Sequence, residues 1–402
     1  MENSLLKACI DLSAIRHNIR QLKACAFDSP EFMAVVKADA YGHGAAEIAR
    51  ASFENGADWL GVARLHEAIE LRETGIKAPI LVFGYVLPSQ IQQVAEYDIV
   101  TSVYGVEMAE RLSLAAVGMN RPIQVHLKVD TGMGRVGRII RSHADDPADL
   151  GQAVDEIIKI KQLPGIDLNG LYTHFAAADS RDKSYTHLQT SVFSALLDAL
   201  SESRVSFKTV HAANSAGIIA FPETHFNMVR AGISLYGLYP SVEMDRSSVD
   251  LRPAMVLKSI VTEVRKVPKG FFVSYGMTHE TLKKTTLASV AIGYADGFSR
   301  RHSSNADMLV KGKRAPVVGR VCMDQTMIDV GHIEDVKAGD EVVIIGSQGS
   351  ETIDADELAQ KAGTINYEVV SALTPRVKRI YSGFSERSES QHPLRMRRID
   401  PS

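Results

Sequence analysis

The chain has 402 residues and a formal net charge of −3, from 45 Lys and Arg against 48 Asp and Glu, and 45% of its residues are hydrophobic. Such a chain can bury a sizeable core, which excludes a disordered protein, and it lacks the basic excess typical of a nucleic-acid binder. Its length suits two or three domains.

The three cysteines, Cys9, Cys25 and Cys322, are far apart and have no metal-type spacing. We therefore expect no disulfide framework, no metal site and a reducing cytoplasm as the compartment. Charged residues interrupt the first twenty positions, so no signal peptide is expected, and no apolar run reaches the roughly 18 residues of a spanning helix. A cytoplasmic, multi-domain protein that binds neither membrane nor nucleic acid is predicted.

From residue 30 to about 238, short β-rich runs alternate with helical patterns, which are clearest over 13–25 and 184–203. This alternation predicts parallel βα units, and eight of them predict a closed (β/α)8 barrel of the TIM type. An open, doubly wound sheet is the alternative. The eight runs are FMAVVK (32–37), WLGVA (59–63), PILVF (79–83), DIVTSV (98–103), IQVHLKVD (123–130), LNGLYTHF (168–175), FKTVHAA (207–213) and NMVRAG (227–232).

From about residue 244 onward the pattern changes to strands separated by Gly, Pro and Asp turns, with one helical stretch over 353–362. This predicts an all-β second domain. The last residues mix Ser, Arg, Glu and Pro without periodicity. We therefore predict an α/β barrel over 1–243, a C-terminal β-domain over 244–383 and a mobile tail over 384–402.

Ionisable residues close several of the predicted barrel strands. Because the active site of such a barrel lies at the carboxyl ends of its strands, these side chains are expected on one rim. Taken singly, each is typical of a solvated lysine or a hydrogen-bonded core histidine, but their convergence favours a functional site. They are Lys37, Lys128 with Asp130, His174, His211 and Arg230.

Lys37 stands out because it follows an apolar strand and precedes a turn with two glycines, Gly42 and Gly44. An amine partly removed from water favours its neutral, nucleophilic form, which suits imine formation with a carbonyl cofactor, chiefly pyridoxal phosphate. The phosphate would need a helix start or a glycine turn late in the barrel, and Ser215 and Gly232 lie in two such segments. The alternative for Lys37 is an ordinary turn with an exposed lysine. The alternative for the segments of Ser215 and Gly232 is simple helix capping and turn formation.

Residues 132–137 read GMGRVG, a literal GxGxxG sequence directly after a predicted strand. A dinucleotide-binding turn should open a helix at its third glycine and lie near the start of its domain. Here the following residues are broken up by charges and a proline, so a nicotinamide dehydrogenase is a remote reading.

The stretch AVVKADAYGHG resembles the pyridoxal-phosphate lysine motif of the bacterial alanine racemases. Further blocks resemble the same family in the same order over roughly residues 8–382, and as a set they are very specific. The resemblance implies a cofactor-binding barrel followed by a β-domain, in a head-to-tail homodimer that racemises alanine. These blocks are HLKVDTGMGRVG, YTHFAAAD, HAANSAG, VRAGISLYG, SYG, GYADG, RVCMDQTMIDV and TINYE.

The resemblance assigns the central roles to five residues. Lys37 would hold the cofactor and act as the base on one face of the substrate, and Tyr275 would act on the opposite face. His174 would hydrogen-bond that tyrosine. Arg230 would face the pyridine nitrogen and keep it unprotonated, with His211 behind it.

The phosphate contacts implied by the resemblance come from both domains. They are Tyr41, Ser215, Gly232 and Tyr367, with the backbone of Ile233 beside them.

Substrate contacts are implied in the same way. Arg135 matches an arginine near the substrate carboxylate, and Lys128 matches a lysine that is often carbamylated and orients that arginine. Met323, Asp324 and Tyr294 match residues that reach the substrate entrance from the other subunit.

The predicted function is therefore a pyridoxal-phosphate-dependent alanine racemase, an isomerase that supplies D-alanine for peptidoglycan by a two-base mechanism. Serine or a broader substrate range is the alternative within this class, because one hydroxyl is a weak discriminator in an apolar pocket. A non-catalytic pyridoxal-phosphate-binding regulator is the alternative outside it. Tyr275 argues against a regulator, because a regulator would not need a second base on the opposite face of the substrate.

Overall fold

The computed structural model of the protein describes residues 4–119, 121–140 and 147–384. The described residues form two compact units. The barrel unit comprises 15–40 and 45–252, and the β unit comprises the described parts of 1–14, 41–44 and 253–402. All but the first residue of the predicted tail lies outside the described residues. None of the described helices has both the length and the apolar character needed to cross a bilayer.

The strands are β1 (Lys7–Asp11), β2 (Glu31–Val35), β3 (Trp59–Val62), β4 (Ile80–Val82), β5 (Val100–Val103), β6 (Ile123–Asp130), β7 (Arg138–Ile139), β8 (Ile166–Tyr172), β9 (Thr209–His211), β10 (Met228–Ala231), β11 (Met255–Val267), β12 (Phe272–Val273), β13 (His279–Glu280), β14 (Thr285–Val290), β15 (Asp307–Val310), β16 (Lys313–Pro316), β17 (Thr326–Asp329), β18 (Glu341–Gln348), β19 (Glu351–Ile353) and β20 (Lys378–Ser382).

The helices are α1 (Leu12–Cys25), α2 (Lys37–Tyr41, a single turn), α3 (Ala45–Glu54), α4 (Leu65–Glu73), α5 (Ile91–Glu96), α6 (Val106–Ala116), α7 (Pro147–Lys161), α8 (Ser184–Glu202), α9 (Ser215–Ala220), α10 (Ala355–Ala362) and α11 (Asn366–Ser371).

Eight parallel strands close the barrel in the order β2, β3, β4, β5, β6, β8, β9 and β10, and β10 pairs again with β2. The closing pair sets Arg230 opposite Met33. This confirms the predicted (β/α)8 barrel and excludes the open sheet, in which the first and last strands would remain unpaired. The short β7 adds only to the outer edge of β6.

Apolar side chains fill the barrel as the periodicity of the sequence predicts. The stripe of α1 formed by Ile15, Ile19 and Leu22 is fully buried. Five neighbouring strands contribute one side chain each to a common cluster, which leaves the polar strand ends to form the rim. The cluster contains Met33, Trp59, Leu81, Val100 and Met228.

The β unit is built around the long strand β11, which pairs with β1, β14 and β18. We expected residues 1–243 to belong to the barrel, but β1 pairs antiparallel with β11 and parallel with β20. Its alternating burial is that of a half-buried sheet strand, a pattern that sequence alone does not assign to either domain. Apart from residues 1–14 and 41–44, the two units divide between Arg252 and Pro253.

The sequence predicts one helix in the β unit, over 353–362, but a second helix, α11, follows it directly. Its sequence, NYEVVS, contains two valines and no strong helix former apart from one glutamate, and its N-cap residue, Ile365, makes no side-chain cap. The helix propensity of this segment is too weak to predict a helix, so packing within the β unit must stabilise it.

Candidate active site

Strand β2 leads to Lys37 at the start of an unusual turn. The next three residues, 38–40, have φ of 53°, 52° and 52°, a left-handed conformation that costs residues with a Cβ roughly 1–2 kcal/mol each. Carboxylates hold the turn: Glu67 Oε1 accepts the N–H of Ala38 at 2.6 Å, and Asp39 Oδ1 accepts an N–H at the start of α3 at 2.8 Å. Strain that is supported in this way is typical of functional positions.

The environment of Lys37 favours its neutral amine. Burial lowers the pKa of Lys37, and the positive charge of Arg135 lowers it further, against a smaller opposing effect of Glu67. A larger fraction of the amine is therefore available as a nucleophile or base near neutral pH.

Arg230 is the most deeply held charge of the barrel. Its guanidinium donates to the carbonyl oxygens of Thr173 at 2.9 Å and Ala212 at 2.7 Å. It also lies 2.6 Å from Nδ1 of His211 and 3.2 Å from Nδ1 of His174. Among the described residues no carboxylate pairs with it. Burial lowers the pKa of Arg230 to about 10, so the group remains a cation at neutral pH.

This geometry fixes the protons of the two histidines. A guanidinium only donates, so Nδ1 of His211 and Nδ1 of His174 must both accept, and each neutral ring carries its proton on Nε2. Burial, followed by the charge of Arg230, holds the pKa of both histidines well below the ordinary value. His174 therefore has an N–H on Nε2 to donate.

The GMGRVG segment wraps around a carboxylate. The side chain of Asp130, at the end of β6, accepts four consecutive backbone N–H groups, those of residues 132–135, at 2.7–3.2 Å. Burial acts to raise the pKa of Asp130, but these donors outweigh it and hold the pKa below its ordinary value. The segment continues into β7 without opening a helix. The N–H groups that a nucleotide phosphate would need are thus already used.

Lys128 also stabilises the GMGRVG loop. Its Nζ donates to the carbonyl oxygen of Val136 at 2.5 Å, and the side chain is almost fully buried. Burial lowers the pKa of Lys128 to about 8, with Asp130 opposing and Arg135 assisting this shift. Lys128 and Asp130 therefore position the loop that carries Arg135.

Polar groups converge between β9 and β10. Asn214 caps α9 by accepting the N–H of Gly217 at 2.9 Å. Ser215 Oγ accepts the N–H of Gly232 at 2.9 Å and that of Ser234 at 3.3 Å. The buried hydroxyl of Ser234 has no hydrogen-bond partner in the described part of the chain. Ile233 begins the short 3-10 turn that follows Gly232.

Tyr41 and Tyr367, both expected to contact phosphate, lie together in the β unit with ring centroids 6.1 Å apart. Burial raises the pKa of Tyr41, so its phenol is neutral. The glycine that follows Tyr41 permits a close backbone approach, because a Cβ on Gly42 would lie 2.1 Å from the carbonyl oxygen of Val370.

Tyr275 lies in a turn between β12 and β13 and is 72% exposed. The residue before it, Ser274, has φ of 64°, and its Oγ donates to the carbonyl oxygen of Arg320 at 2.7 Å. The turn therefore presents the phenol outward from the β unit, unlike the half-buried strand tyrosine that is the commoner case.

The three remaining candidates of the β unit are also close to one another. The backbone N–H of Tyr294 donates to the carbonyl oxygen of Cys322, the residue before Met323. The side chains of Tyr294 and Met323 are both partly exposed. Asp324 forms a salt bridge with Arg376 at 2.6 Å. The structure thus forms one group of candidates at the barrel rim and others on the β unit.

Comparison with known proteins identifies the family of the chain. Residues 10–240 match the family model described as alanine racemase, N-terminal domain, and residues 254–381 match the one described as alanine racemase, C-terminal domain. The chain belongs to the alanine racemase family. A curated alanine racemase of Desulforamulus reducens is 50% identical over 93% of this chain and 98% of its own, and one of Desulfosudis oleivorans is 49% identical over 92% and 95%.

Solved structures of alanine racemases have the same fold. The enzyme of Clostridium difficile superimposes with a TM-score of 0.88 at 39% identity, over 95% of this chain and 97% of its own. The Bacillus anthracis alanine racemase with bound L-Ala-P gives 0.86 at 40% identity, over 96% and 97%.

Two residues that shape the alanine racemase rim were missed in the sequence. Glu67 supports the turn after Lys37 from the first turn of α4, where a glutamate is read only as a capping residue. His126 is buried in β6 beside His211. The signal for His126 was present, because residues 126, 128 and 130 alternate along one strand and therefore face the same side.

We predict that Asp130→Asn loosens the loop that carries Arg135. Hydrogen bonds to a charged acceptor contribute about 2 kcal/mol, so the free energy of unfolding at pH 7 should fall by that order. Because folding lowers the pKa of Asp130, this contribution is complete above its unfolded pKa of about 4 and disappears as the pH falls through the folded pKa. Urea midpoints across the acid range measure the effect.

The matched control is Asp167→Asn, at an exposed position on β8. A difference between wild type and Asp130→Asn that stayed constant from pH 7 to pH 3 would contradict the assignment.

Proposed function

We propose that this chain is a pyridoxal-phosphate-dependent alanine racemase that interconverts L-alanine and D-alanine. The observation that carries the proposal is the rim of the barrel, where Lys37 has a lowered pKa and Arg230 is held by neutral acceptors, in a member of the alanine racemase family. The curated relatives named alanine racemase, which cover more than nine tenths of the chain, support the substrate. The product would supply D-alanine for peptidoglycan.

The residues present fit pyridoxal phosphate. Lys37 offers an amine of lowered pKa to its aldehyde, and the buried cation of Arg230 offers only donors to its pyridine nitrogen. Ser215 gathers backbone N–H groups beside Gly232, and the unpartnered hydroxyl of Ser234 adds a donor suited to a phosphate oxygen. The other phosphate contacts that we propose are Tyr41, Ile233 and Tyr367.

When bound, the cofactor withdraws electron density from the amino acid and so acidifies the bond between its α-carbon and hydrogen. The chain supplies the groups that move this proton. Lys37 Nζ would exchange it on one face of the substrate, and Tyr275 Oη would exchange it on the other. His174, whose proton Arg230 directs to Nε2, can donate to the tyrosine oxygen and so stabilise the deprotonated phenol.

Arg230 would limit how much charge a bound cofactor takes up. Because its guanidinium only donates, it would leave no site for a proton on the pyridine nitrogen, and less negative charge would be drawn away from the α-carbon. Fast return of the proton, and therefore racemisation over side reactions, would be favoured. Arg135 would hold the substrate carboxylate.

A homodimer with shared sites accounts for the exposed side chains of the β unit. Large apolar residues, including Tyr275 and Met277, cluster between 271 and 282, and Met323 is half exposed. A monomer rarely exposes such a group of residues without an interaction partner. We propose that Tyr275, Tyr294, Met323 and Asp324 complete the site of a second copy of the chain.

We propose the cytoplasm as the place of action. Its support is the state of the three cysteines, which are all free thiols, as in proteins of a reducing compartment.

The first prediction tests the activity itself. The purified holoenzyme should change the optical rotation of L-alanine to zero, and Lys37→Ala should lose this activity by at least about 100-fold because it lacks the base. The visible absorption of the lysine-bound cofactor should disappear in the same variant. Lys77→Ala, at an exposed lysine, is the control. A panel of L-amino acids completes the test. If the enzyme turned over serine faster than alanine, serine and not alanine would be assigned as its substrate.

Tyr275→Phe should slow removal of the α-proton from L-alanine more than from D-alanine, since each base serves one face of the carbon. Exchange of the α-hydrogen with solvent deuterium, followed separately for each isomer, measures the two rates. Tyr97→Phe, on a tyrosine outside the proposed site, is the control. Equal losses for both isomers would contradict the two-base assignment.

Mixing the inactive chains Lys37→Ala and Tyr275→Phe should restore activity if the site is shared. Random reassociation makes about half of the dimers mixed, and each mixed dimer has one intact site, so about a quarter of the wild-type activity is expected. Two sites that each lie within a single chain would give no recovery although mixed dimers form.

A further inference from the structure

His126 occupies a space made for it in the wall of the barrel. Its ring is fully buried in β6, and its Nδ1 lies 3.1 Å from Nε2 of His211. The neighbouring strand carries Gly170 at this point, where a Cβ would lie 2.2 Å from the imidazole. Trp59 packs against the ring with centroids 5.5 Å apart.

The contacts define the direction of the hydrogen bonds. Arg230 donates to Nδ1 of His211, so the only proton of that neutral ring is on Nε2. This N–H points at His126 Nδ1, which must therefore accept it. Burial, followed by the charge of Arg230, lowers the pKa of His126 to about 3, so the ring stays neutral and accepts at any ordinary pH.

His211 is also fixed in its plane. Its ring stacks on Tyr172 with centroids 4.6 Å apart and an angle of 4° between the planes. The Tyr172 hydroxyl in turn is held by Ser102 at 2.8 Å. Stacking fixes the plane of the ring but does not decide which nitrogen carries the proton. That choice is left to the groups at the two nitrogens.

Stability alone does not account for a histidine here. Nε2 of His126 carries a proton and has no hydrogen-bond partner among the described residues, and an unsatisfied buried donor is destabilising. An apolar side chain of similar shape would avoid that cost. The acceptor at Nδ1 is what an apolar side chain cannot provide.

We infer that His126 is a positioning residue for Arg230, because it accepts the Nε2–H of His211 and so keeps His211 in the tautomer whose Nδ1 receives the guanidinium. The inference rests on the proposed function, in which Arg230 faces the cofactor. Without this acceptor His211 can place its proton on Nδ1. A donor would then face a donor, and Arg230 would move away from its position.

Two substitutions at the same position separate the acceptor from the packing. His126→Asn keeps an acceptor, because Asn Oδ1 occupies nearly the position of His Nδ1, whereas His126→Phe keeps a ring and removes the acceptor. In the holoenzyme, His126→Phe should lower kcat by about 10- to 100-fold with little change in KM, since a displaced guanidinium misplaces the reacting groups. His126→Asn should stay within a few fold of wild type.

Imidazole ¹⁵N spectra of histidine-labelled protein give a readout that is independent of turnover. Wild type should show His126 and His211 both protonated on Nε2, and His211 should change its protonation pattern in His126→Phe but keep it in His126→Asn. A wild-type His211 protonated on Nδ1 would overturn the inference even if no variant folds. So would an equal loss of kcat in both variants, which would make packing the cause. Absence of racemisation in the wild type would instead refute the proposed function and leave the ¹⁵N result standing.

Discussion

The buried guanidinium of Arg230 is the constraint on which the barrel rim depends. Removing a cation from water costs several kcal/mol unless its N–H donors find hydrogen-bond acceptors, and the usual acceptor is a carboxylate. In this barrel the acceptors are two carbonyl oxygens at the ends of β8 and β9 and two neutral imidazoles. The positive charge is therefore not cancelled. Burial lowers the pKa values of His174, Lys128 and His126, and the charge of Arg230 lowers each of them further.

A rim with uncancelled positive charge suits the groups that we propose it binds, a phosphate and a carboxylate. It also explains why the overall composition is uninformative: the net charge of −3 describes the surface of the whole chain, whereas the chemistry depends on a few buried groups whose charges neighbouring atoms control. The histidines illustrate this control, since each one adjacent to Arg230 becomes an acceptor at one nitrogen and a donor at the other.

Much of the barrel could be predicted from its sequence, because buried parallel strands are continuous apolar runs and helices repeat with a period near 3.6. The placement of Lys37, His174, His211 and Arg230 at strand ends follows from the same pattern. What could not be predicted depends on partners distant in the chain. The support of Glu67 for the turn after Lys37 is one case, and the helix that carries Tyr367 is another. The GMGRVG loop is a different case: its sequence context argues against nucleotide binding, but only the structure shows that its N–H groups surround the internal carboxylate of Asp130.

The pairing of β1 with β20 determines the order in which the chain can fold as it leaves the ribosome. Residues 7–11 emerge before the barrel strands, yet one of their partner strands, at 378–382, is among the last of the described elements to be synthesised. All eight barrel strands are complete once residue 231 has emerged. The nascent barrel can therefore close early, while β1 keeps an unpaired edge exposed throughout most of translation. Strand β1 is short and has a charged residue at each end, Lys7 and Asp11. Both features disfavour pairing with another chain before β20 has been synthesised.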